Sequence, residues 1–500
     1  MTQRIIPSKS TPETIRFVSF NVCGLRNLFN FDPWSETKTL QGVFDKLDAD
    51  VICFQEVRIQ KKDLPYNLAV VPGFRGFHSF PHFKKGYSGV AVYVRDGINV
   101  RHAEDGLSGW LKSKDQPDSN YRQLEQQDMA MSQVPDKFPY RCIGGYPRTV
   151  RYVLGEEIDS EGRSVIIDLG FCVVLGLYCP ANSLGNKEEF RNNYFKLLDE
   201  RIRRLTEMGR QVVVMGDLNI AREVYDSCDG LEQALGRGYQ RQLREAQNIQ
   251  NFENKHTKAV TSWWQSTEQR NLMHKWLSPN VKKFMNDETS SALLHDVCRE
   301  KHPERLEMYT CWDLRSKARE KNQGQRIDYI LASSGLSKFC CKADILPNLQ
   351  GSDHCPIFAD FTIPAEILTN NEKIQQILRM EPVNNLDDQK KHLKKRKLKM
   401  NSAYLSDFST RRSIKTMFSV LNAPGSTTTT TTATTIERPS EPTSVSESNI
   451  PCSVTSTRSS LKTKEIKPKL NSTSKIAKKP LSSLKDKSQK SILSFFNKNQ

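Results

Sequence analysis

The stretch RQVVVMGDLN, residues 210–219, starts polar, runs through apolar side chains from Val212 to Met215, and closes on Asp217 and Asn219. Consecutive valines favour an extended chain, because a branched Cβ packs well on a pleated surface. A strand without polar alternation needs cover on both faces, the condition of a strand inside a layered α/β body. Asp and Asn are common turn formers at strand ends. At the end of a buried strand they can instead serve a site, and one strand alone leaves both readings open.

Seven further runs rich in Val, Ile, Phe and Tyr read as strands. They are TIRFVSFNV (14–22), DVICFQEV (50–57), YSGVAVYVR (87–95), SVIIDLG (164–170), FCVVLGLYCP (171–180), RIDYILAS (326–333) and DHCPIFADFTI (353–363). Apolar residues recur at helical spacing in ETKTLQGVFDKLDA (36–49) and KEEFRNNYFKLLDERIRRLTEM (187–208). Strands and helices interleaved over 14–364 predict an α/β body of packed layers, with a domain spanning 1–365. Residues 101–162 are polar and long for a connection, so they read as an insertion. A second polar stretch, 225–258, reads as an extended loop with some helix, of the kind that carries substrate contacts.

The remainder has a different composition. Residues 371–500 hold 25 Lys and Arg against 10 Asp and Glu, so +15 of the chain's +17 lies there and the first 370 residues carry only +2. Ser, Thr, Lys and Pro dominate, and 427–432 are all Thr. Residues 366–488 are therefore expected to form a disordered basic tail. A nearly neutral body must bind any polyanion by local arrangement rather than bulk charge. The 12 cysteines are scattered with no C-x-x-C pair, which argues against a zinc site and against a secreted disulfide framework. With no apolar leader and no spanning stretch, a reducing intracellular compartment is expected. KKHLKKRKLK (390–399) suits nuclear import or a nucleic-acid contact, with a solvated linker as the plain alternative.

Polar groups recur where the strands end. Asn21 closes the first run, Glu56 the second, and Asp217 and Asn219 the run 210–219. Asp328 lies inside RIDYILAS, and Asp353 and His354 open the last. Burying several carboxylates without compensation costs too much, so together they call for a cation. Oxygen donors without a Cys/His cluster suit Mg²⁺, or Mn²⁺, better than zinc.

The motifs VSFNVCGLR, CFQEVR, SGVAVYVR, LYCPAN, MGDLNIA, RIDYIL and GSDHCPI occur in the order and approximate spacing of a known family. Over roughly 14–363 the chain resembles the exonuclease III family of AP endonucleases, within the DNase I-like superfamily. The resemblance implies a four-layered α/β sandwich, two packed β-sheets flanked by helices, with the active site at one edge. It implies a Mg²⁺-dependent DNA repair nuclease that cuts 5′ to abasic sites and clears blocked 3′ ends, as 3′-phosphodiesterase and 3′→5′ exonuclease, in base excision repair. Glu56 would be the principal metal ligand, with Asn21 beside it. Asp217 would orient or deprotonate the attacking water, and Asn219 would hold a phosphate oxygen. Asp328 would orient His354, which would contact the scissile phosphate together with Tyr178; Asp353 would assist the metal or the leaving oxygen. Asp217, Asn219 and His354 are also candidate metal ligands.

Departures from the family pattern carry information. Cys23 stands where many relatives have Asp or Asn, and Ala181 followed by Asn182 where an Asn directly follows the Tyr-x-Pro. Cys311, Gln325 and Ile327 stand where AP endonucleases often have Phe, Trp and Leu around the abasic sugar. Fewer aromatic walls favour 3′-end processing over internal incision. Trp263 and Trp264 in TSWWQS are expected to pack between a helix and the sheet, with stacking on DNA as the alternative.

The chain ends SQKSILSFFNKNQ, in which Gln489, Ile492, Phe495 and Phe496 fit Q-x-x-Ψ-x-x-Φ-Φ. This resembles the motif (489–496) by which proteins bind the sliding clamp PCNA, its apolar groups brought to one side by a 3₁₀ turn. Arg411, Ile414, Met417 and Phe418 repeat the spacing without Gln or the aromatic pair. The motif points to the clamp-associated eukaryotic branch of the family, and hence to a nucleus-located monomer. Cys452 is the tail's one cysteine, so the zinc finger carried by many members of that branch is not expected. The competing readings are a DNase I-like phosphoesterase acting on RNA or inositol phosphates, and a non-catalytic clamp-binding recruitment protein.

Overall fold

In chain order the strands are β1 (Thr14–Asn21), β2 (Val51–Gln55), β3 (Phe74–Ser79), β4 (Val90–Arg95), β5 (His102–Asp105), β6 (Ser164–Asp168) and β7 (Val173–Tyr178). They continue as β8 (Val212–Asp217), β9 (Leu294–Asp296), β10 (Cys311–Trp312), β11 (Gly324–Gln325), β12 (Asp328–Ser333), β13 (Cys340–Ile345) and β14 (Ile357–Thr362). The computed structural model describes residues 6–131, 142–148, 152–181, 185, 187–277, 292–364 and 398–405. All lie in one compact unit.

Two six-stranded mixed sheets form the body, with orders β13-β14-β1-β2-β4-β3 and β5-β6-β7-β8-β12-β9, and β10 pairs with β11 as a short ribbon. Within the sheets β1 runs parallel to β2 and β7 to β8, while the other pairs are antiparallel. The strand period of two sorts the apolar residues into layers. Phe17, Val51, Val92, Val174, Val213 and Ile330 belong to the core between the sheets. Val18, Phe20, Ile52 and Phe54 face the other way and pack with Val43, Phe44 and Leu47 of the Leu40–Leu47 helix. Leu175, Val214 and Leu331 likewise pack with Tyr194, Leu198 and Ile202 of the Glu188–Glu207 helix. Helix, sheet, sheet and helix make the expected four layers. Among the described residues no helix is long and apolar enough to cross a membrane.

All eight strands and both helices read from the sequence are present. The strands not read, chiefly β3, β5, β9 and β13, are short or carry polar and small residues. The stretch 101–162 opens with β5, an edge strand bonded to β6, and also holds the Tyr121–Met131 and Tyr152–Ser160 helices. The stretch 225–258, expected as an extended loop with some helix, is mostly helical. Cys228–Leu235, Tyr239–Ala246 and Ile249–Lys255 are helical, and a fourth helix begins at Thr257.

The expectation for the tail needs correcting at 398–405. Leu398 and Met400 are buried, Asn401 bridges to Phe77 of β3, and the Ser402 hydroxyl reaches the carbonyls of Ala69 (2.5 Å) and Gly76 (3.1 Å). An outer strand offers unpaired backbone groups, and a short segment with two apolar anchors can satisfy them. A composition averaged over more than a hundred residues hides eight that have a partner.

Candidate active site

The register of the strands brings the site together. Parallel pairing sets Asn21 of β1 beside Gln55 of β2, so Glu56 emerges next to Asn21. In the second sheet Asp217 lies opposite Tyr178 of β7 on one side and Asp328 of β12 on the other. The two sheets meet through Asn21. Its Nδ2 donates to Asp217 Oδ2 (2.9 Å) and to Glu56 Oε1 (3.1 Å), while its Oδ1 accepts from the Cys23 N–H (3.0 Å).

The backbone turns sharply at these strand ends. Cys23, Glu56, Arg58 and Asn219 all have φ between +46° and +56°, a left-handed conformation costing roughly 1–2 kcal/mol per non-glycine residue. Such strain persists only where the surroundings over-determine it, and here it aims side chains at one spot. Gly216 has a different reason to be glycine: a Cβ there would lie 1.9 Å from the Leu177 carbonyl oxygen.

His354 and Asp328 form the buried half of the site. The His354 Nδ1–H donates to Asp328 Oδ2 (2.8 Å), which also accepts from the Thr310 hydroxyl (2.6 Å). Burial pulls the imidazole's pKa down, but the Asp328 carboxylate outweighs it and holds the ring well above its ordinary value. His354 Nε2 stands 3.9 Å from Asp217 Oδ2, too far for a hydrogen bond. Burial, reinforced by the Asp328 charge, raises the Asp217 carboxyl to about 7 against the pull of His354 and the bonds from Asn21 and Asn219.

The remaining predicted residues surround this centre. Asn219 accepts nothing from the dyad; its backbone N–H donates to Asp217 Oδ1 (2.9 Å) and its Nδ2 to the Cys179 carbonyl (2.9 Å). Tyr178 lies under the Arg163 guanidinium (4.8 Å to the ring). Asp353 Oδ1 accepts from the Ser352 hydroxyl (3.0 Å). Burial, with the charges of Asp353 and Glu56, pushes the Cys23 thiol up to about 12, so Cys23 stays protonated beside both carboxylates.

Sequence reasoning missed three contributors. Arg58 caps Glu56 Oε2 through Nε (3.0 Å) and Nη2 (2.5 Å); it stood inside the CFQEVR motif with no role attached. Arg163 joins Tyr178 to the loop before β4, and Thr310 locks Asp328 while accepting from the Ile327 and Asp328 N–H groups. Nothing in the spacing of Arg163 or Thr310 marks them, since they meet their partners only once the strands pair.

A cavity of about 750 Å³ adjoins the centre, with Asn219, Gln325, Ile327, Trp263, Lys258 and Arg270 among its walls. Gln325 and Ile327 line this cavity. Cys311 is not in that wall and instead bridges to His354. Trp263 is a packing residue: it is buried, donates from Nε1 to the Ala221 carbonyl (3.1 Å) and carries Arg270 on its face (3.6 Å). Trp264 stacks on His274 (4.1 Å). Asn182, the spacing at 411–418, and Gln489, Ile492, Phe495 and Phe496 lie outside the described residues.

The donor set fits a hard divalent cation. Glu56, Asp353 and Asp217 supply oxygens, the nearby thiol is protonated, and Asp328 Oδ1 is buried without a hydrogen-bond partner. Asp217, Asp328 and His354 bring potential ligand atoms within 4.8 Å of one another.

Comparison with known proteins places the chain among phosphodiester-cleaving relatives. Residues 18–354 match the model of the "Endonuclease/Exonuclease/phosphatase family". The chain is 35% identical over 378 residues to a Saccharomyces cerevisiae protein named DNA-(apurinic or apyrimidinic site) endonuclease 2, covering 70% of this chain and 67% of that one. Proteins of the same name are 32% identical in Schizosaccharomyces pombe (69% and 58% covered) and 27% in Homo sapiens (70% and 60%). The chain thus spans between 58% and 67% of the length of these relatives. The crystal structure of the Xenopus laevis APE2 catalytic domain shares the fold, with a TM-score of 0.53 at 23% identity over 79% of this chain and 99% of that one.

Proposed function

The chain belongs to the endonuclease/exonuclease/phosphatase family, and on that premise we propose that it is a DNA repair nuclease. It hydrolyses the phosphodiester 5′ to abasic sites and removes blocked 3′ ends, as 3′-phosphodiesterase and 3′→5′ exonuclease. The observation that carries the reading is the junction of the two sheets, where Asn21 ties Glu56 to Asp217 beside a buried Asp328–His354 pair. The relatives named as endonucleases for apurinic or apyrimidinic sites support DNA over RNA or inositol phosphates as the substrate.

Glu56 and Asp353, with Asn21 and Asp217 alongside, are the residues that would hold Mg²⁺ or Mn²⁺. The bound cation supplies Lewis-acid neutralisation of the phosphoryl oxygens and of the leaving 3′ oxygen. Asp217, with its carboxyl near 7, takes a proton from the attacking water at neutral pH. His354, Tyr178 and the second amide hydrogen of Asn219 donate to phosphate oxygens, where charge builds up in the transition state. Asp328 fixes the ring of His354 and keeps it protonated.

The C-terminal Gln489, Ile492, Phe495 and Phe496 recruit the enzyme to the PCNA clamp in the nucleus, and the intact acidic and amide groups speak against a purely non-catalytic recruiter. The test is a substrate panel with Mg²⁺ and with Mn²⁺, with and without the clamp. It comprises an internal abasic duplex, a 3′-phosphoglycolate end, poly(A) and a phosphoinositide. Cleavage of abasic DNA and of the blocked end is expected, and turnover of poly(A) or phosphoinositide alone would overturn the reading. Because Gln325 lines the cavity where an aromatic wall is common, 3′-phosphoglycolate removal is expected to exceed internal incision.

A further inference from the structure

The loop between β3 and β4 carries an apolar side chain with no part in the fold. Phe83 is 88% exposed, well beyond the next large hydrophobic residue described, Leu314 at 53%. A single exposed apolar residue ordinarily needs no explanation. Its setting here is specific. Phe83 is followed by Lys84 and Lys85, both exposed, and then by Gly86 and Tyr87.

The loop is held at both ends against the catalytic edge. On one side the His82 N–H donates to the Ser160 carbonyl (2.9 Å). On the other, the Arg58 and Val57 N–H groups donate to the carbonyls of Ser88 (2.8 Å) and Gly89 (3.0 Å), tying the loop to the turn that presents Glu56. Tyr87 is ringed by Lys84 (4.6 Å), Arg163 (5.2 Å) and Lys187 (5.5 Å from the ring); Arg163 and Lys187 are paired with Glu161 (2.6 and 3.3 Å), which leaves Lys84 and its neighbour Lys85 as the exposed cations of the loop. Arg163 in turn donates to the Tyr178 carbonyl (3.1 Å), and Tyr178 lies opposite Asp217. A continuous line of cations and aromatic rings therefore runs from the reacting groups to the tip of the loop.

Cations interleaved with an exposed ring fit a polyanion whose units each present a flat aromatic face. A near-neutral body needs such local devices to hold DNA. From these contacts we infer that Phe83 is a positioning residue that stacks on a nucleobase of the bound DNA strand beside the scissile phosphate, with Lys84 and Lys85 on the flanking phosphates. This rests on the reading of the substrate as DNA.

Stacking on one base, read by alanine substitution, corresponds to roughly a 5- to 150-fold change in affinity. Phe83→Ala is expected to raise Kd and KM for an abasic duplex by that factor, with the effect falling on KM rather than kcat. Phe83→Trp should restore binding. A 2-aminopurine next to the abasic site should change its fluorescence on binding the native protein and Phe83→Trp, and not on binding Phe83→Ala. Lys84→Ala should lower the slope of log Kd against log salt by about one. Native affinity and an undiminished 2-aminopurine response in Phe83→Ala would overturn the inference while leaving the nuclease reading intact. A native protein that neither binds nor cuts abasic DNA would overturn both.

Discussion

Replacing Asp328 by Asn tests the electrostatic account of the site most directly. Asp328 Oδ2 accepts two hydrogen bonds, from His354 Nδ1 at 2.8 Å and Thr310 Oγ1 at 2.6 Å, and its volume is nearly that of Asn. The amide oxygen, with two lone pairs, can accept both bonds but carries no charge. A hydrogen bond to a charged group contributes about 1.5–3 kcal/mol against about 0.5–1.5 for a neutral one, so a stability loss of about 1–2 kcal/mol is expected. The catalytic effect should be larger, about 10²–10³ in kcat, because a preorganised donor is lost where charge develops. The sign of the pH effect follows from the shifts. His354 is held protonated well above its ordinary pKa by Asp328, so native activity falls only as pH rises through that raised value. Without Asp328, burial remains and the imidazole loses its proton at lower pH, moving the alkaline limb down. Asp217 is raised to about 7 partly by the Asp328 charge, so its pKa falls and the acid limb moves down as well. The whole bell should shift to lower pH. The assay is kcat/KM on an abasic duplex from about pH 5 to 9, with NMR titration of the His354 ring in metal-free protein. A variant with unshifted limbs and an unshifted His354 titration would refute the reasoning.

Glu56→Ala and Asp217→Asn should each lose nearly all nuclease activity and unfold at close to the native temperature; wild-type turnover in either purified protein would defeat the assignment. Removing the last dozen residues should abolish PCNA binding in a pull-down and leave cleavage of naked abasic DNA unchanged. Met400→Ala should destabilise the catalytic body by about 2–4 kcal/mol in denaturant unfolding, because a buried Met is truncated to a methyl. An unchanged unfolding midpoint would show that 398–405 add nothing to the fold.

The eight apolar runs were legible because a strand buried on both faces must be apolar along its whole length, as 212–215 are. β5 was not, because HAED is polar and is buried only by its partners: Glu104 meets Arg201 at 3.0 Å, and Asp105 meets Lys114 at 2.6 Å. The segment 398–405 was hidden for a related reason, since its apolar anchors acquire meaning only against the open edge of β3. The helices of 228–264 pack around Trp263 and Phe252, whereas their polar faces dominated the sequence pattern.

The sequence by itself determined the layered body, the acids and amides at its strand ends, and the preference for a hard cation. Those follow from local rules: apolar periodicity, the cost of buried charge and the chemistry of donor atoms. Only the tertiary structure decided which groups act on which. Asn21 reaches Asp217 across 196 positions of chain and from one sheet to the other, while Thr310 meets Asp328 across 18 positions and Arg163 meets the Tyr178 carbonyl across 15. It also set the direction in which the Asp217 and His354 pKa values move, both upward, because a pKa depends on burial and on neighbouring charges that no single stretch of sequence contains.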